Sequence, residues 1–196
     1  MAHIDYYFTP ISPFSYLAGL GLEEVAAKHG ATVAYKPFNL MELGKETGFV
    51  PPKDRHPNRQ KYRLQELTRI AEHAGLPITL QPAYWPANPV PSSTAIIAAA
   101  KAGGGDLGAL VHGLMRACWA EEKDIGDDAV VAACLEAAGF GAELAGAGML
   151  EGVEVFQRNT EEALKAGVFG APFYIVGEEG FWGQDRLAYL DRHLGA

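Results

Sequence analysis

Strand signals are confined to the two ends of the chain and a long helical stretch separates them, so few folds are compatible with this sequence. Residues 3–9 are rich in aromatic and β-branched types, which indicates a short buried strand. Ser12 and Pro13 predict a helix start, because serine caps helix N-termini and proline suits the first helical position. Gly30 predicts the end of this helix and residues 31–37 a second strand, so the chain opens with a strand–helix–strand unit.

The predicted first helix has one apolar and one charged face. Between Pro13 and Gly30, apolar residues recur at helical spacing, whereas Glu23, Glu24 and Lys28 fall on the other face. We therefore expect one continuous helix with these charged residues away from the core. Its predicted apolar face comprises Phe14, Leu17, Ala18, Gly21, Leu22 and Val25.

The middle of the chain predicts helices alone, and the end returns to strands. Segments rich in glycine and proline separate the helical patterns. Residues 172–176 predict a strand, residues 177–180 a turn and residues 181–182 the start of a return strand. Residues 183–185 then open a last helix. The predicted middle helices lie at about 57–75, 91–102, 107–122, 127–138 and 150–166.

This order of elements defines an α/β thioredoxin-like fold interrupted by a large all-helical insertion. A simple α/β domain would not place so much helix in the middle of the chain. We expect the thioredoxin-like domain to comprise residues 1–38 and 168–196, and the inserted helical domain residues 39–167. The length of 196 residues suits one domain with such an insertion.

Composition and charge disfavour several functional classes. The formal net charge of −8 argues against nucleic-acid binding, and the longest strictly apolar run, residues 95–100, is too short to span a membrane. Cys118 and Cys134 match neither a redox pair nor a zinc site, and the six histidines are scattered, so we expect no metal. No secretory signal is visible at the start, and we expect a cytoplasmic protein.

The turn from the first strand into the first helix is where a thioredoxin-like fold places its reactive group. Here residues 12–15 read Ser-Pro-Phe-Ser, without the two cysteines of a disulfide oxidoreductase, so thiol–disulfide exchange is excluded at this turn. Ser12 alone is also explained by an N-cap role. A second signal favours a site: Pro172 precedes the late strand, where a proline in this fold is typically cis and exposes the preceding backbone beside the helix start.

Four segments together resemble a known enzyme family. They are Asp5-Tyr-Tyr-Phe8, Ser12-Pro-Phe-Ser-Tyr-Leu17, Gly167-Val-Phe-Gly-Ala-Pro172 and Phe181-Trp-Gly-Gln-Asp-Arg-Leu187. These segments are similar to those of 2-hydroxychromene-2-carboxylate isomerases, which are relatives of kappa-class glutathione transferases with the DsbA-like thioredoxin fold. The resemblance implies glutathione as cofactor, a small aromatic oxoacid as substrate and a homodimer. It also implies that Ser12 is the catalytic residue and holds the glutathione sulfur as a thiolate.

A serine at a helix start can supply the stabilisation that this chemistry needs. A thiol with a pKa of about 8.5 is only roughly 3% ionised at pH 7, and lowering that pKa by about two units takes about 2.7 kcal/mol. A helix N-terminus contributes up to roughly 2 kcal/mol, and a hydrogen bond to a charged group roughly 1.5–3 kcal/mol. No cysteine or metal is therefore required.

The resemblance implies further glutathione contacts near the end of the chain. The backbone of Ala171, ahead of Pro172, is expected to pair with the cysteinyl amide as an added strand would. Gln184 and Asp185, at the predicted start of the last helix, suit the γ-glutamyl carboxylate and ammonium groups. Trp182 completes the set. Ordinary helix stabilisation by Asp185 and packing by Trp182 remain alternatives.

The expected substrate-binding residues belong to the helical insertion. Residues 53–63 contain five lysines and arginines against one aspartate, a positive patch in an acidic chain. This patch fits either a solvated helix face or a rim that attracts the carboxylates of glutathione and an aromatic oxoacid. Aromatic residues in a proline-bounded loop either stack on an aryl substrate or pack the loop. The candidates are Lys45, Asn58, Tyr84, Trp85 and Asn88.

The favoured function is glutathione-dependent cis–trans isomerisation, for which the resemblance implies reversible thiolate addition to a conjugated double bond. A kappa-like transferase, which leaves glutathione attached to an electrophile, uses the same thiolate. A non-catalytic thioredoxin-type binding module is the third hypothesis. Product analysis separates the first two, and a lack of turnover across varied electrophiles would favour the third.

Overall fold

The computed structural model describes residues 1–147 and 149–196, and its strands form one mixed sheet. The strands are β1 His3–Phe8, β2 Thr32–Pro37, β3 Phe173–Val176 and β4 Glu179–Trp182. Their order is β2-β1-β3-β4, with β1 and β2 parallel and the other neighbours antiparallel. The opposite ends of the chain therefore meet in the centre of the sheet, where Tyr6 pairs with Tyr174. The predicted thioredoxin-like arrangement is confirmed.

Helices occupy most of the remaining chain. They are α1 Pro13–Tyr16, α2 Gly21–His29, α3 Leu40–Thr47, α4 Pro57–Ala74, α5 Val90–Ala102, α6 Leu107–Trp119, α7 Asp128–Ala137, α8 Met149–Lys165 and α9 Leu187–Leu194. The predicted middle helices correspond to α4 to α8 and are confirmed. The sequence patterns do not predict α3, whose N-cap Asn39 accepts hydrogen bonds from the backbone N–H groups of Met41 and Glu42. No helix among the described residues is long and apolar enough to cross a membrane.

The prediction of one continuous first helix is wrong, because α1 and α2 are separate. Gly19 between them has a φ of +60°, a left-handed conformation that glycine adopts readily and that interrupts the helix. The last helix also begins later than predicted, at Leu187, because Gln184–Arg186 forms a short 3-10 turn.

The charged face predicted for this segment is only partly correct. Glu24 and Lys28 are exposed, but Glu23 is half-buried and accepts a 2.7 Å hydrogen bond from the Tyr35 hydroxyl on β2. Glu23 therefore lies on the side of α2 that approaches β2, although Leu22 of the predicted apolar face is buried as expected.

Alternate residues of β1 face two different cores, because successive side chains of a strand point to opposite faces. Ile4, Tyr6 and Phe8 belong to the larger core, which also contains residues of α5, α6 and α7. Tyr7 belongs to a smaller core with Phe38 and a residue of α8. Both cores combine strands with helices of the insertion. The division into residues 1–38 with 168–196 and residues 39–167 stays a prediction.

Candidate active site

Ser12 lies at the turn between β1 and α1 and faces the other end of the chain. Its Oγ accepts a 3.2 Å hydrogen bond from the backbone N–H of Ser15, which is the expected N-cap role. Its hydroxyl also points to the carbonyl oxygen of Ala171, 3.5 Å away. Only 7% of Ser12 is exposed, so few water molecules compete for this hydroxyl. The two positions that the sequence singles out are therefore adjacent.

Among the described residues, the Ser12 hydroxyl donates only one long hydrogen bond. Hydrogen bonds between a hydroxyl and an oxygen are usually about 2.5–3.0 Å long, so the 3.5 Å contact with Ala171 is weak. The Ala171–Pro172 peptide bond is cis, as the sequence predicts. An anion is a stronger acceptor than a carbonyl, so a bound anion beside Ala171 can take over this hydroxyl.

Neither a reactive thiol nor a metal cluster is found at this turn. Ser15 occupies the position of a second cysteine, and its buried hydroxyl has no hydrogen-bond partner among the described residues. Cys118 and Cys134 are free, and burial raises the pKa of Cys118 to about 12. Within the described residues, no group of three or more His, Cys, Asp or Glu side chains could hold a metal ion. The nucleophilic sulfur of any thiol chemistry here must come from a ligand.

The helix that Ser12 caps has only four residues. The helix macrodipole is a sum over aligned peptide units, so one turn contributes less than the roughly 2 kcal/mol expected of a favourable helix N-terminus. The Ser12 hydroxyl must therefore supply most of the stabilisation of an anion at this place. Tyr16 anchors the short helix, because its hydroxyl donates a 2.7 Å hydrogen bond to the carbonyl of Pro77.

The segment that follows β4 lies beside Pro172. The backbone N–H of Gly183 donates a 2.9 Å hydrogen bond to the Pro172 carbonyl. The indole of Trp182 covers Gly170, where any side chain would collide with the ring. Trp182 also packs edge-on against Phe169, with 4.8 Å between ring centroids, and stays 52% exposed. An apolar aromatic surface therefore borders the backbone of residues 170–172.

Gln184 and Asp185 lie in the 3-10 turn rather than in the last helix. The Asp185 carboxylate forms an ion pair with the Arg186 guanidinium, and both side chains are about half exposed. The turn begins at Gly183, whose backbone contacts Pro172. The ion pair therefore belongs to the turn that follows the Gly183 contact with Pro172.

Trp85 connects the helical insertion with the chain just before Ser12. Its indole N–H donates a 3.1 Å hydrogen bond to the Ile11 carbonyl. Trp119 packs against its ring with 5.6 Å between centroids, and the Arg63 guanidinium lies 5.4 Å from its centroid. These neighbours leave less of the ring free for an aryl substrate than the sequence suggests. They also place the positive charge of Arg63 near the Ser12 turn.

Arg55, Arg59 and Arg63 form a basic cluster on and before α4. Burial and the charge of Arg55 lower the pKa of Arg63, and burial and the charge of Arg59 lower the pKa of Arg55. In the part of the chain that the structure describes, none of the three forms an ion pair with a carboxylate. Arg55 and Arg63 are partly buried, whereas Arg59 is exposed. The Arg55 side chain donates a 2.7 Å hydrogen bond to the Val50 carbonyl. Neighbouring like charges repel one another, and an anion would relieve that repulsion. The basic cluster is therefore a candidate anion site.

The other predicted substrate residues have separate positions. Lys45 is exposed on α3 and Asn58 is exposed in the first turn of α4. Tyr84 is 55% exposed in the loop before α5. The side chain of Asn88 accepts a 3.1 Å hydrogen bond from the backbone N–H of Val90, so Asn88 helps to begin α5. Their role in substrate binding stays a prediction.

Sequence patterns miss three features of the site. Phe169 lies within one of the segments that carry the resemblance, but nothing in its neighbourhood predicts its packing on Trp182. The ring of Phe49, over which the Arg55 guanidinium lies at 5.4 Å, has no local signal. The Ile11 carbonyl has one indirect signal. Pro10 ends the strand pattern and leaves the Ile11 carbonyl without a strand partner. This is the one hint that another group must bind the Ile11 carbonyl.

A family comparison agrees with this arrangement. Residues 3–195 match the family model of the DSBA-like thioredoxin domain. The match spans nearly the whole chain, so the chain belongs to this family. The fold class predicted from the sequence is confirmed.

Individual relatives narrow the class to a group of enzymes. The chain is 30% identical over 198 residues to a 2-hydroxychromene-2-carboxylate isomerase from Sphingobium xenophagum, and the match covers 97% of each protein. A solved structure of a 2-hydroxychromene-2-carboxylate isomerase has a TM-score of 0.79 at 27% identity, covering 98% of this chain and 94% of that one. Glutathione S-transferase kappa 1 from Caenorhabditis elegans is 34% identical over 85 residues, which are 43% of this chain and 37% of that protein. The resemblance found in the motifs is confirmed, and the chain is an enzyme related to these isomerases.

Proposed function

We propose that this enzyme catalyses the glutathione-dependent cis–trans isomerisation of an aromatic 2-oxo acid of the 2-hydroxychromene-2-carboxylate type. The main observation in support is the contact between the Ser12 hydroxyl and the Ala171 carbonyl, where the first helix meets the late proline. This place has a hydroxyl donor and an open backbone segment but no thiol of its own. The similarity to isomerases over nearly the full length supports the same reaction.

Glutathione fits the groups around Ala171. The backbone of Ala171 would pair with the cysteinyl amide, and Pro172 and Trp182 would border it. Gln184 and Asp185 would hold the γ-glutamyl end, with the Asp185 carboxylate next to the ammonium and Arg186 balancing the carboxylate. Bound glutathione supplies a sulfur nucleophile that adds reversibly to a conjugated double bond.

Ser12 has the role of keeping that sulfur anionic. Its hydroxyl would donate to the sulfur in place of the weak contact with Ala171. A hydrogen bond to a charged group contributes about 1.5–3 kcal/mol, which spans the roughly 2.7 kcal/mol needed for a shift of two pKa units. The short α1 adds a smaller favourable amount.

The basic cluster would bind the carboxylate of the oxoacid. Arg63 is held over Trp85, and the Trp85 indole binds the carbonyl next to Ser12, so two contacts connect this positive charge with the residue before Ser12. This charge would also stabilise negative charge that develops on the oxo group during isomerisation. Lys45, Asn58, Tyr84 and Asn88 are proposed to complete the substrate contacts from the surrounding surface.

The experiment is product analysis of the purified enzyme with glutathione and 2-hydroxychromene-2-carboxylate. We expect the trans isomer to form while the amount of free glutathione stays constant. Formation of a stable glutathione conjugate without isomer would favour a kappa-like transferase, which the partial match to a kappa enzyme supports. Glutathione binding without turnover of any electrophile would favour a binding module.

Two further expectations accompany this function. We propose a cytoplasmic location, because Cys118 and Cys134 are both free and free thiols suit a reducing compartment. We also propose a homodimer, on the resemblance to the isomerases. Light scattering of the purified protein tests the second expectation, since a dimer has twice the mass of the chain.

A further inference from the structure

A buried polar cluster lies between α2 and the sheet, and the proposed reaction does not use it. Glu23 on α2 accepts a 2.7 Å hydrogen bond at Oε1 from the hydroxyl of Tyr35. Its other oxygen, Oε2, is buried without a hydrogen-bond partner among the described residues, and so is the hydroxyl of Tyr174. Buried polar atoms are nearly always hydrogen-bonded to protein or to ordered water. Two such atoms in one cluster indicate a further hydrogen-bond partner.

A small cavity lies beside Glu23 and Tyr174. It has a volume of about 10 Å³ and is lined by Glu23 and Tyr174, with Tyr6 and His112 as the other residues bearing polar side-chain atoms. One water molecule needs a cavity of roughly 10–15 Å³ and two to four polar partners. The cavity therefore has the size and the lining for a single water molecule.

A glycine on α6 leaves room for the Glu23 side chain. A Cβ atom at Gly108 on α6 would lie 2.8 Å from Glu23 Cγ and 3.0 Å from the Tyr35 hydroxyl. Glycine is thus the residue that lets α6 approach this carboxyl group. The enclosed position of Glu23 follows from the close packing of α6 on α2 and β2.

The charges around Glu23 oppose its ionisation. Burial raises the pKa of Glu23, and the negative charges of Asp106 and Glu24 raise it further, although the Tyr35 hydrogen bond acts in the opposite direction. His112 offers no compensating charge, because burial and the charge of Arg116 lower its pKa. The groups that face Glu23 are Tyr35 on β2, Tyr6 on β1, Tyr174 on β3, His112 and the N-cap Asp106 on α6, and Glu24 on α2 itself.

We propose that this cavity binds one ordered water molecule, which bridges Glu23 Oε2 and the Tyr174 hydroxyl. The raised pKa of Glu23 means that its carboxyl group keeps a proton to a higher pH than an exposed glutamate does. In the protonated form, Oε2 donates to the water while Oε1 accepts from Tyr35. The water then joins α2 to β3 near the turn at Gly19. This site goes beyond the proposed function and does not depend on glutathione.

Infrared spectroscopy of the wild type, Glu23→Gln and the distant, exposed control Glu178→Gln tests the proposal. As the pH rises from 4, we expect the C=O stretch of one protonated carboxyl group to persist longest in the wild type and in Glu178→Gln, and to be missing from Glu23→Gln. A high-resolution crystal structure should show density for one water molecule between Glu23 and Tyr174. The absence of such a late-titrating band from the wild type, or a dry cavity, would overturn the proposal.

Unfolding measurements at several pH values give an independent test. The folded state favours the protonated form of Glu23, whereas the unfolded chain ionises near the ordinary pKa of 4.5. The stabilising contribution of Glu23 is therefore complete below pH 4.5 and decreases as the pH rises above it. We expect the free energy of unfolding to fall less between pH 4 and pH 7 in Glu23→Gln than in the wild type and Glu178→Gln. Equal pH dependence in all three proteins contradicts the proposal.

Discussion

Replacement of Ser12 by alanine removes the one hydroxyl that faces the Ala171 carbonyl. If that hydroxyl donates to the sulfur of bound glutathione, the variant loses about 1.5–3 kcal/mol of thiolate stabilisation. One pKa unit corresponds to about 1.36 kcal/mol, so the pKa of the bound thiol should rise by about one to two units. A bound thiol with a pKa of about 6.5 is roughly three-quarters ionised at pH 7, so turnover at pH 7 should fall roughly 3- to 25-fold.

The thiol pKa is measured directly by the ultraviolet absorbance of the thiolate during a pH titration of the glutathione complex. Ser15→Ala is the matched control, because Ser15 is also buried, at 1% exposed against 7% for Ser12, but its hydroxyl has no hydrogen-bond partner among the described residues. Its backbone N–H, which caps against Ser12, is unchanged in the control. Unfolding curves are recorded in parallel, since loss of the N-cap at residue 12 costs about 1 kcal/mol of stability.

The decisive comparison is between the bound thiol pKa in the wild type and in the folded alanine variant. An unchanged value would show that the Ser12 hydroxyl does not stabilise the sulfur, and the proposed role would be refuted even if turnover fell. Ser12→Thr keeps a hydroxyl, so it should recover part of the lost thiolate stabilisation. A thiol pKa in Ser12→Thr as high as in the alanine variant would also contradict the argument.

Two further variants test other parts of the site. Arg63→Ala should raise KM for the aromatic oxoacid by on the order of tenfold, because a charge-assisted contact is lost, and should leave glutathione affinity unchanged. Arg69→Ala on the same helix is the control. Equal KM values in the two variants would contradict the anion site. Gly183→Ala should lower the free energy of unfolding by about 1–3 kcal/mol, because the φ of Gly183 is +114° and a Cβ atom would lie 2.7 Å from an Asp185 oxygen. Denaturant unfolding measures this loss. An unchanged midpoint would show that the backbone relaxes at this position.

The proximity of Ser12 and Ala171 can be predicted from the sequence, because it depends on the topology of the sheet. Once the two ends of the chain are recognised as parts of one sheet, β1 and β3 become neighbours, and Ser12 and Ala171 must lie close together. This inference needs only the strand patterns and the order of elements along the chain. No side-chain contact has to be known in advance.

The parts that sequence does not predict depend on packing between distant segments. Gly19 fits the apolar spacing of a continuous helix, since a glycine inside a helix is tolerated at a modest cost, yet it adopts a left-handed conformation and separates α1 from α2. The burial of Glu23 then depends on the position of α6 relative to α2, which no local sequence pattern predicts. The bond from Trp85 to the Ile11 carbonyl likewise joins segments that are far apart in the chain.

The two halves of the site use different kinds of contact, and this difference leads to a last prediction. The glutathione half depends on backbone positions fixed by the sheet, including the hydrogen bond from Gly183 to Pro172, whereas the oxoacid half depends on the Arg63 side chain and Trp85. Substitutions at independent sites have additive effects on free energy. The losses of kcat/KM in Ser12→Ala and Arg63→Ala should therefore multiply in the double variant. A double variant no worse than Ser12→Ala alone would mean that Arg63 acts through the same thiolate, and the assignment of the basic cluster to the oxoacid carboxylate would be wrong.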